Sequence, residues 1–188
     1  SGTATLDLED VDQCDTLFLI GGNPASNHPR FMRTLMEVKR RGGKVVVINP
    51  LKELGLERFK VPSDVRSLLF GTRIADLYLM PTIGGDIALL TGIAKVVLER
   101  GGVDEAYVHE HTAEFDAYRT VVESAEWATI ESASGVDRAD IERAAEVYLK
   151  SRRTVFAWTM GITHHAHGVE NVQAIAALAL LRGMVGRP

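Results

Sequence analysis

Cysteine is almost absent from this chain, and its scarcity excludes several classes of protein. The 188 residues include one cysteine, Cys14, so the chain can form neither an internal disulfide nor a cysteine-based zinc or iron–sulfur cage. Cys14 lies just before the first apolar run, where a small buried side chain is the expected role. The sequence therefore predicts a buried thiol and no disulfide scaffold.

Long apolar runs and a strong excess of one charge are also missing. The apolar stretch at 169–181 is interrupted by Glu170 and is shorter than the ~20 residues that cross a bilayer, so we expect a core helix there. A net charge of −4 gives no basis for binding nucleic acid. The basic run at 39–41 is interpreted as a helix end, where cations complement the macrodipole. We expect a cytoplasmic protein with no nucleic-acid partner and no membrane segment.

Catalytic and metal-binding motifs are not evident either. The serines have no G-x-S-x-G context, so no catalytic residue is predicted. Five of the six histidines lie in two short groups, at 109–111 and 164–167. Three ligands can hold zinc, but neither group has the H-E-x-x-H spacing. We expect no metal ligand in this chain.

Two apolar runs end in polar loops. Residues 17–20 lead into Gly-Gly-Asn at 21–23, and residues 45–48 lead into Asn-Pro at 49–50. Between them, Pro29 is a favoured first helical residue, apolar residues follow at helical spacing, and a glycine pair ends the pattern. This predicts a right-handed βαβ unit whose strands end at one edge of a sheet.

The remaining sequence continues this alternation of strands and helices. We expect an irregular segment at 51–73, a third strand at 74–79 and a helix at 87–98. These are followed by a helical region at about 103–150, a fourth strand at 154–158 and a last helix from about His167. The fold class is therefore α/β. Residues 1–188 are expected to form a single Rossmann-like, three-layer domain with a mostly parallel sheet and an additional helical segment.

The first loop favours nucleotide chemistry. Glycine and asparagine at a strand end let the backbone approach a polar ligand closely and leave amide donors for phosphate oxygens. The chain lacks both the G-x-G-x-x-G fingerprint and an acidic residue after the second strand, which disfavours an NAD- or FAD-type domain. That alternative stays open, as does a non-catalytic α/β interaction domain with a degenerate nucleotide pocket.

Four segments resemble the molybdopterin oxidoreductase family, and its formate dehydrogenase-like members in particular. They are GGNPASNHP at 21–29, INPLKE at 48–53, TIGGDIALL at 82–90, and residues 158–164 continuing through 183–188. The resemblance covers essentially the whole chain. It implies the pterin-dinucleotide-binding domain of a larger oxidoreductase that carries molybdopterin guanine dinucleotide with molybdenum or tungsten. The implied partners are the other domains of the parent chain and an electron-transfer subunit.

The resemblance assigns cofactor contacts to the first two loops. Asn23 matches the motif asparagine of the family; the alternative is an asparagine chosen only for a turn. Asn49 and Pro50 stand where many relatives have the first two residues of a D-P-R triplet, so an amide replaces a carboxylate and its charge-assisted hydrogen bond. Lys52 either restores a positive charge near the phosphates or is simply solvated. Supporting contacts are expected from Gly21, Gly22, Ser26 and Asn27, with His28 capping the next helix.

The other two loops are assigned in the same way. Asp86, which follows Gly84 and Gly85, could accept both N1–H and N2–H₂ of a guanine; the alternative is a helix-capping aspartate. Contacts with the pterin side are implied for Met160, Gly161, Thr163 and His164, with His165 and His167 as polar support or a helix start. The resemblance places the metal ligand before Ser1 and an arginine-bearing loop after Pro188. We therefore expect an inactive fragment from which the cofactor is absent.

Overall fold

A four-stranded parallel sheet forms the centre of the protein. The computed structural model describes residues 8–59 and 71–186. In these ranges the strands are β1 (Thr16–Ile20), β2 (Lys44–Ile48), β3 (Arg58–Phe59), β4 (Thr72–Arg73), β5 (Leu77–Leu79) and β6 (Thr154–Trp158). The central sheet has the order β5-β2-β1-β6, and its three strand pairs are all parallel. Strands β3 and β4 form a separate antiparallel pair.

Helices cover both faces of this sheet. In chain order they are α1 (Leu8–Gln13), α2 (Pro24–Asn27), α3 (Pro29–Arg40), α4 (Leu54–Glu57), α5 (Asp86–Glu99), α6 (Glu105–His111), α7 (Phe115–Ser124), α8 (Trp127–Ser134), α9 (Arg138–Lys150), α10 (Met160–Thr163) and α11 (Gly168–Leu181). None of these described helices has both the length and the apolar character that a membrane span requires.

Alternate residues of β1 enter two different cores. Phe18 and Ile20 pack with α5, α9 and α11, whereas Leu17 and Leu19 pack with α1, α3 and α4. This division follows from the two-residue period of a strand, which sends successive side chains to opposite faces. On the first face, the buried Tyr148 donates from its hydroxyl to the Leu178 carbonyl at 2.7 Å. The result is the expected three-layer α/β arrangement.

The strands agree with the prediction except at the third. Strands β1, β2 and β6 contain the predicted runs, but β5 begins at Leu77 and not at Ile74. The preceding amides bind elsewhere: Ile74 donates to the Glu57 carbonyl at 3.3 Å and Ala75 to the Leu56 carbonyl at 2.9 Å. The predicted irregular segment contains α4 and the β3–β4 pair, and its residues 60–70 lie outside the described ranges.

The predicted helical segment is confirmed as α6 to α9, and α5 packs against three of its helices, α7, α8 and α9.

The structure also bears on the expected roles of His28 and Cys14. His28 occupies the position before α3, but its side chain makes no capping hydrogen bond. Cys14 is buried as expected, and burial raises the pKa of its thiol to about 11.

Candidate functional site

All four motif loops lie at one edge of the central sheet. Because β1, β2, β5 and β6 are parallel, the loops that follow them begin at the same side, which we call the carboxyl edge. Backbone hydrogen bonds join these strand ends: Gly21 donates to the Ile48 carbonyl at 2.8 Å, and Asn49 donates to the Leu79 carbonyl at 3.0 Å. The topology therefore brings the motif segments together, as the βαβ pattern predicted.

The loops after β1 and β6 interlock through glycines. The amide of Thr159 donates to the Ile20 carbonyl at 3.2 Å, and its hydroxyl donates to the Gly21 carbonyl. A Cβ on Gly161 would lie 2.5 Å from that Gly21 oxygen, and a Cβ on Gly22 would lie 2.8 Å from the Thr159 methyl group. These glycines allow two backbones to approach each other closely.

Part of the backbone of the first loop is already hydrogen-bonded within the protein. Gly21 uses its amide in the bond to Ile48, and Ser26 and Asn27 both donate to the Asn23 carbonyl. The side chains of Ser26 and Asn27 are exposed, while Gly22 is buried. The amides of Gly21, Ser26 and Asn27 are therefore in use and are not the free donors expected for phosphate oxygens.

Asn23 and Asn49 both have structural roles. Asn23 precedes α2, and its Oδ1 accepts from the Ser26 amide at 3.3 Å, which is the turn role considered as the alternative. Asn49 is buried; its Nδ2 donates to the Gly22 carbonyl at 3.3 Å and its Oδ1 accepts from the Leu51 amide at 3.1 Å. Each amide has further hydrogen-bonding capacity beyond these contacts.

Beyond Asn49, the second loop turns outward. Pro50 and Leu51 are exposed. Lys52 forms an ion pair with Glu57 at 2.7 Å. Both side chains of this pair are largely exposed to solvent.

Asp86 is the first residue of α5, and the residue in the capping position is Gly85. Asp86 therefore lies one residue after the capping position, and its carboxyl group interacts with its own backbone amide. The carboxyl group is half-buried. Burial raises its pKa, an effect opposed by its backbone amide and by the nearby His165. A carboxylate has several acceptor positions, so this one can also accept hydrogen bonds from a ligand.

The helical segment α6 to α9 contacts the loop before Asp86 and holds it in place. This contact was not predicted from the sequence. The amide of Thr82 donates to the Ser134 carbonyl at 2.8 Å, and its hydroxyl donates to the Ala133 carbonyl at 3.0 Å. A Cβ on Gly85 would lie 2.7 Å from that same Ala133 oxygen. The end of α8 thus positions the residues that present Asp86.

The loop after β6 forms the short helix α10. Met160, Gly161, Thr163 and His164 are exposed. Ile162 is buried, and its carbonyl accepts from Nδ2 of the buried Asn171 at 3.2 Å. Asn171 was not predicted as a site residue, although a polar residue within an apolar helix was a usable signal. It fixes α10 relative to α11.

The histidine groups lie in different parts of the described structure. His109 and His111 belong to α6, whereas the group at 164–167 follows β6 at the carboxyl edge. Within the described ranges, no three histidine, cysteine, aspartate or glutamate residues are placed so that they could hold a metal ion together.

Exposed apolar side chains also gather at the carboxyl edge. Among the described residues, seven large apolar side chains are exposed on its loops and helix starts: Leu51, Leu54, Met80, Ile83, Trp158, Met160 and Val169. We call this set the apolar rim. Single exposed apolar residues are ordinary, but a concentration of them typically marks an interaction or ligand surface.

Comparison with known proteins identifies the family. The molybdopterin oxidoreductase family model matches residues 2–188. This chain belongs to the molybdopterin oxidoreductase family. Protein YdeP of Escherichia coli K12 is 39% identical over 199 residues, which include 100% of this chain and 26% of YdeP. Formate dehydrogenase H of the same organism is 31% identical over 188 residues, with 100% of this chain and 24% of that protein covered.

The fold of this molybdopterin oxidoreductase domain also matches a solved structure. Acetylene hydratase from Pelobacter acetylenicus aligns with a TM-score of 0.77 and 20% identity, over 92% of this chain and 22% of that chain. The chain thus spans about a quarter of the length of the curated relatives it matches. The predicted resemblance to formate dehydrogenases is confirmed, because the family model matches the chain and formate dehydrogenase H is among its homologues.

Proposed function

We propose that residues 1–188 form a single molybdopterin guanine dinucleotide-binding domain of a formate dehydrogenase-like molybdenum or tungsten oxidoreductase. The domain binds the dinucleotide arm of the cofactor and contributes no ligand to the metal. The observation that carries this proposal is the convergence of four motif loops at the carboxyl edge of a parallel sheet in a member of this family. Open α/β sheets bind nucleotides at this edge.

The chemistry of the edge fits the dinucleotide arm. Asp86 is a half-buried carboxylate outside the capping position, and His165 has a buried ring nitrogen with no hydrogen-bond partner in the described structure. The loops that carry these two residues lie close together: a Cβ on Gly84, which has φ of +89°, would lie 3.6 Å from Cε1 of His165. A carboxylate and an imidazole at this edge supply polar groups for a polar ligand.

The residues of this chain would bind and orient the arm. Asp86 would accept N1–H and N2–H₂ of the guanine, a pattern that adenine does not offer. Asn23 and Asn49 would add amide hydrogen bonds near the ribose and phosphates. Met160, Gly161, Thr163 and His164 would face the pterin side. When bound, the group supplies a metal that exchanges two electrons with the substrate.

The proposed partners are the remaining domains of the parent chain and an electron-transfer subunit. The chain spans about a quarter of its relatives, and the apolar rim lies on the edge where the cofactor would bind. A second domain that encloses the cofactor from the other side would also cover this rim. The isolated fragment would retain only part of the binding contacts and is expected to be inactive.

Metal and nucleotide analysis of the full-length enzyme tests this proposal. The purified enzyme is expected to contain molybdenum or tungsten and to release guanine nucleotide on acid treatment. Enzyme that is folded and active but contains neither metal would contradict the cofactor assignment. Release of cytidine nucleotide in place of guanine would contradict the guanine assignment alone.

A further inference from the structure

Two arginines lie directly opposite each other in the small antiparallel pair of strands. Arg58 of β3 is the register partner of Arg73 of β4. The amide of Arg58 donates to the Leu54 carbonyl, and the amide of Ile74 donates to the Glu57 carbonyl at 3.3 Å. Arg58 and Arg73 therefore form a non-hydrogen-bonded cross-strand pair, the kind in which the two side chains lie closest together.

Both arginines line a cavity beside β5, which is an edge strand of the central sheet. The cavity has a volume of about 440 Å³. Besides the two arginines, its charged lining residues are Lys52, Glu57 and Asp76. The size of the cavity suits a small molecule or ion, and its charges decide which kind.

The two carboxylates of the cavity are already paired with lysines. Glu57 forms an ion pair with Lys52 at 2.7 Å. Asp76 pairs with Lys39 and also with Lys44, whose Nζ lies 3.5 Å from its Oδ1. Neither carboxylate is paired with an arginine of the described structure, so the positive charges of the two arginines are the uncompensated charges of this cavity.

The arginine pair has a charge arrangement that an anion would stabilise. Like charges directly opposite each other destabilise an antiparallel strand pair. The Nε of Arg73 donates to the Ala75 carbonyl at 3.1 Å, which holds this guanidinium group and leaves its other N–H groups for a ligand. Guanidinium groups donate in a planar fork that matches the oxygens of a phosphate group.

We propose that Arg58 and Arg73 together bind one phosphate group, as inorganic phosphate or as a phosphate monoester, in the cavity beside β5. The phosphate oxygens accept from both guanidinium groups, and their negative charge removes the repulsion between the arginines. Neither arginine is among the residues proposed to bind the molybdopterin cofactor. The inference therefore adds a second ligand site and does not depend on the proposed function.

Calorimetric titration of the full-length enzyme at constant ionic strength tests this site. Inorganic phosphate and phenyl phosphate are the two probes, because they distinguish a free ion from a phosphate group on an organic molecule. The variants are Arg58→Gln, Arg73→Gln and Arg58→Lys, the last of which keeps the charge without the fork. Arg152→Gln is the matched control, because Arg152 is an exposed arginine that does not line the cavity.

We expect the wild type to bind one phosphate per chain. Each glutamine variant should bind it about tenfold more weakly, because charge-assisted hydrogen bonds are lost. Arg58→Lys should bind with intermediate affinity, and Arg152→Gln should match the wild type. Tighter binding of phenyl phosphate would assign the site to an organic phosphate. Absence of saturable binding of both probes by the wild type, or equal weakening in Arg58→Gln and Arg152→Gln, would overturn the inference.

Thermal unfolding gives a second test that a merely structural arginine would not pass. Without phosphate, Arg58→Gln should unfold at the same temperature as the wild type or slightly higher, because the repulsion is removed. With saturating phosphate the order should reverse, since a ligand stabilises the folded state that binds it. An unfolding midpoint of Arg58→Gln that is equally far below the wild type in both conditions would overturn the inference.

Discussion

The side-chain amide of Asn49 donates to the carbonyl of Gly22 at 3.3 Å and so joins the ends of β2 and β1. Its Oδ1 accepts from the Leu51 amide at the same time. An aspartate, which the family resemblance places here in many relatives, has no N–H to donate. The asparagine that stands in place of the first residue of the D-P-R pattern therefore makes a hydrogen bond to Gly22 that an aspartate could not make.

Replacing Asn49 with aspartate should destabilise the domain. Asn49→Asp removes the donor and places a carboxylate beside the Gly22 oxygen in a buried position. Loss of a buried hydrogen-bond partner destabilises a protein by about 1–3 kcal/mol, so the midpoint of thermal unfolding should fall by several degrees. Asn27→Asp is the control, because Asn27 is exposed. Equal midpoints for both variants would show that the bond to Gly22 has no energetic role.

Gly22 and Thr159 should show coupled effects on stability. A Cβ on Gly22 would lie 2.8 Å from the Thr159 methyl group, so Gly22→Ala should destabilise the chain by about 1–3 kcal/mol through overpacking. Thr159→Ser removes this methyl group and keeps the hydroxyl that donates to Gly21. The free energy of unfolding of each variant is measured by denaturant unfolding. The double variant should lose less of this free energy than the sum of the losses in the two single variants.

Gly161→Ala provides the comparison. Its Cβ would lie 2.5 Å from the Gly21 carbonyl oxygen, a backbone atom. No side-chain substitution at Thr159 can relieve that contact. If Thr159→Ser rescued Gly161→Ala as well as Gly22→Ala, the specific steric account would be incorrect.

Asp86 should contribute to binding at the expense of stability. Burial raises the pKa of its carboxyl group in the folded state above the ordinary value of 3.8, so the folded state binds more protons than the unfolded state between these two pKa values. Stability therefore falls as pH rises through that interval, and the destabilisation persists at neutral pH. Asp86→Asn should raise the unfolding midpoint of the isolated chain at pH 7, with a smaller effect as pH approaches 3.8.

The same position should weaken cofactor retention in the full-length enzyme. Asp86→Ala is expected to lower the binding free energy by about 1–3 kcal/mol, because guanine donors lose a charged acceptor. Asp137→Ala serves as a control, since Asp137 is an exposed carboxylate just before α9. Guanine nucleotide content that is unchanged in folded Asp86→Ala enzyme would reject its role in recognition.

The order of strands and helices could be predicted because most elements have local signals. Strands β1, β2 and β6 are short apolar runs, and α9 repeats its apolar residues at helical spacing. The start of β5 could not be predicted, because Ile74 and Ala75 are apolar in sequence but donate to carbonyls of the α4 region. Tertiary hydrogen bonds, and not propensity, set that boundary.

The site was predictable as a set of loops but not as a set of contacts. Strand ends identify the carboxyl edge, since parallel strands must end together. The bond from Thr82 to Ser134 joins residues 52 positions apart, and no periodicity encodes it. His165 was expected only as support, because burial of one ring nitrogen depends on how two distant loops pack.

The apolar rim should behave differently in the isolated chain and in the parent enzyme. The isolated chain is expected to fold but to show no formate oxidation and no stoichiometric molybdenum or zinc. Ile83 and Leu54 are 84% and 80% exposed, so lysine at either position should change the thermal midpoint little. Each substitution should reduce binding of a dye that senses apolar surface.

In the full-length enzyme, Ile83→Lys should lower both the unfolding midpoint and the cofactor content. If another domain buries this side chain, replacing it removes about 1.5–3 kcal/mol of apolar burial and places a charge in the interface. Val121→Lys is the control, because Val121 is 66% exposed on α7 and does not belong to the rim. If lysine at positions 83 and 121 is tolerated equally well, the apolar rim stays exposed in the parent enzyme. For the isolated chain, stoichiometric zinc or measurable turnover would contradict its assignment as part of a larger enzyme.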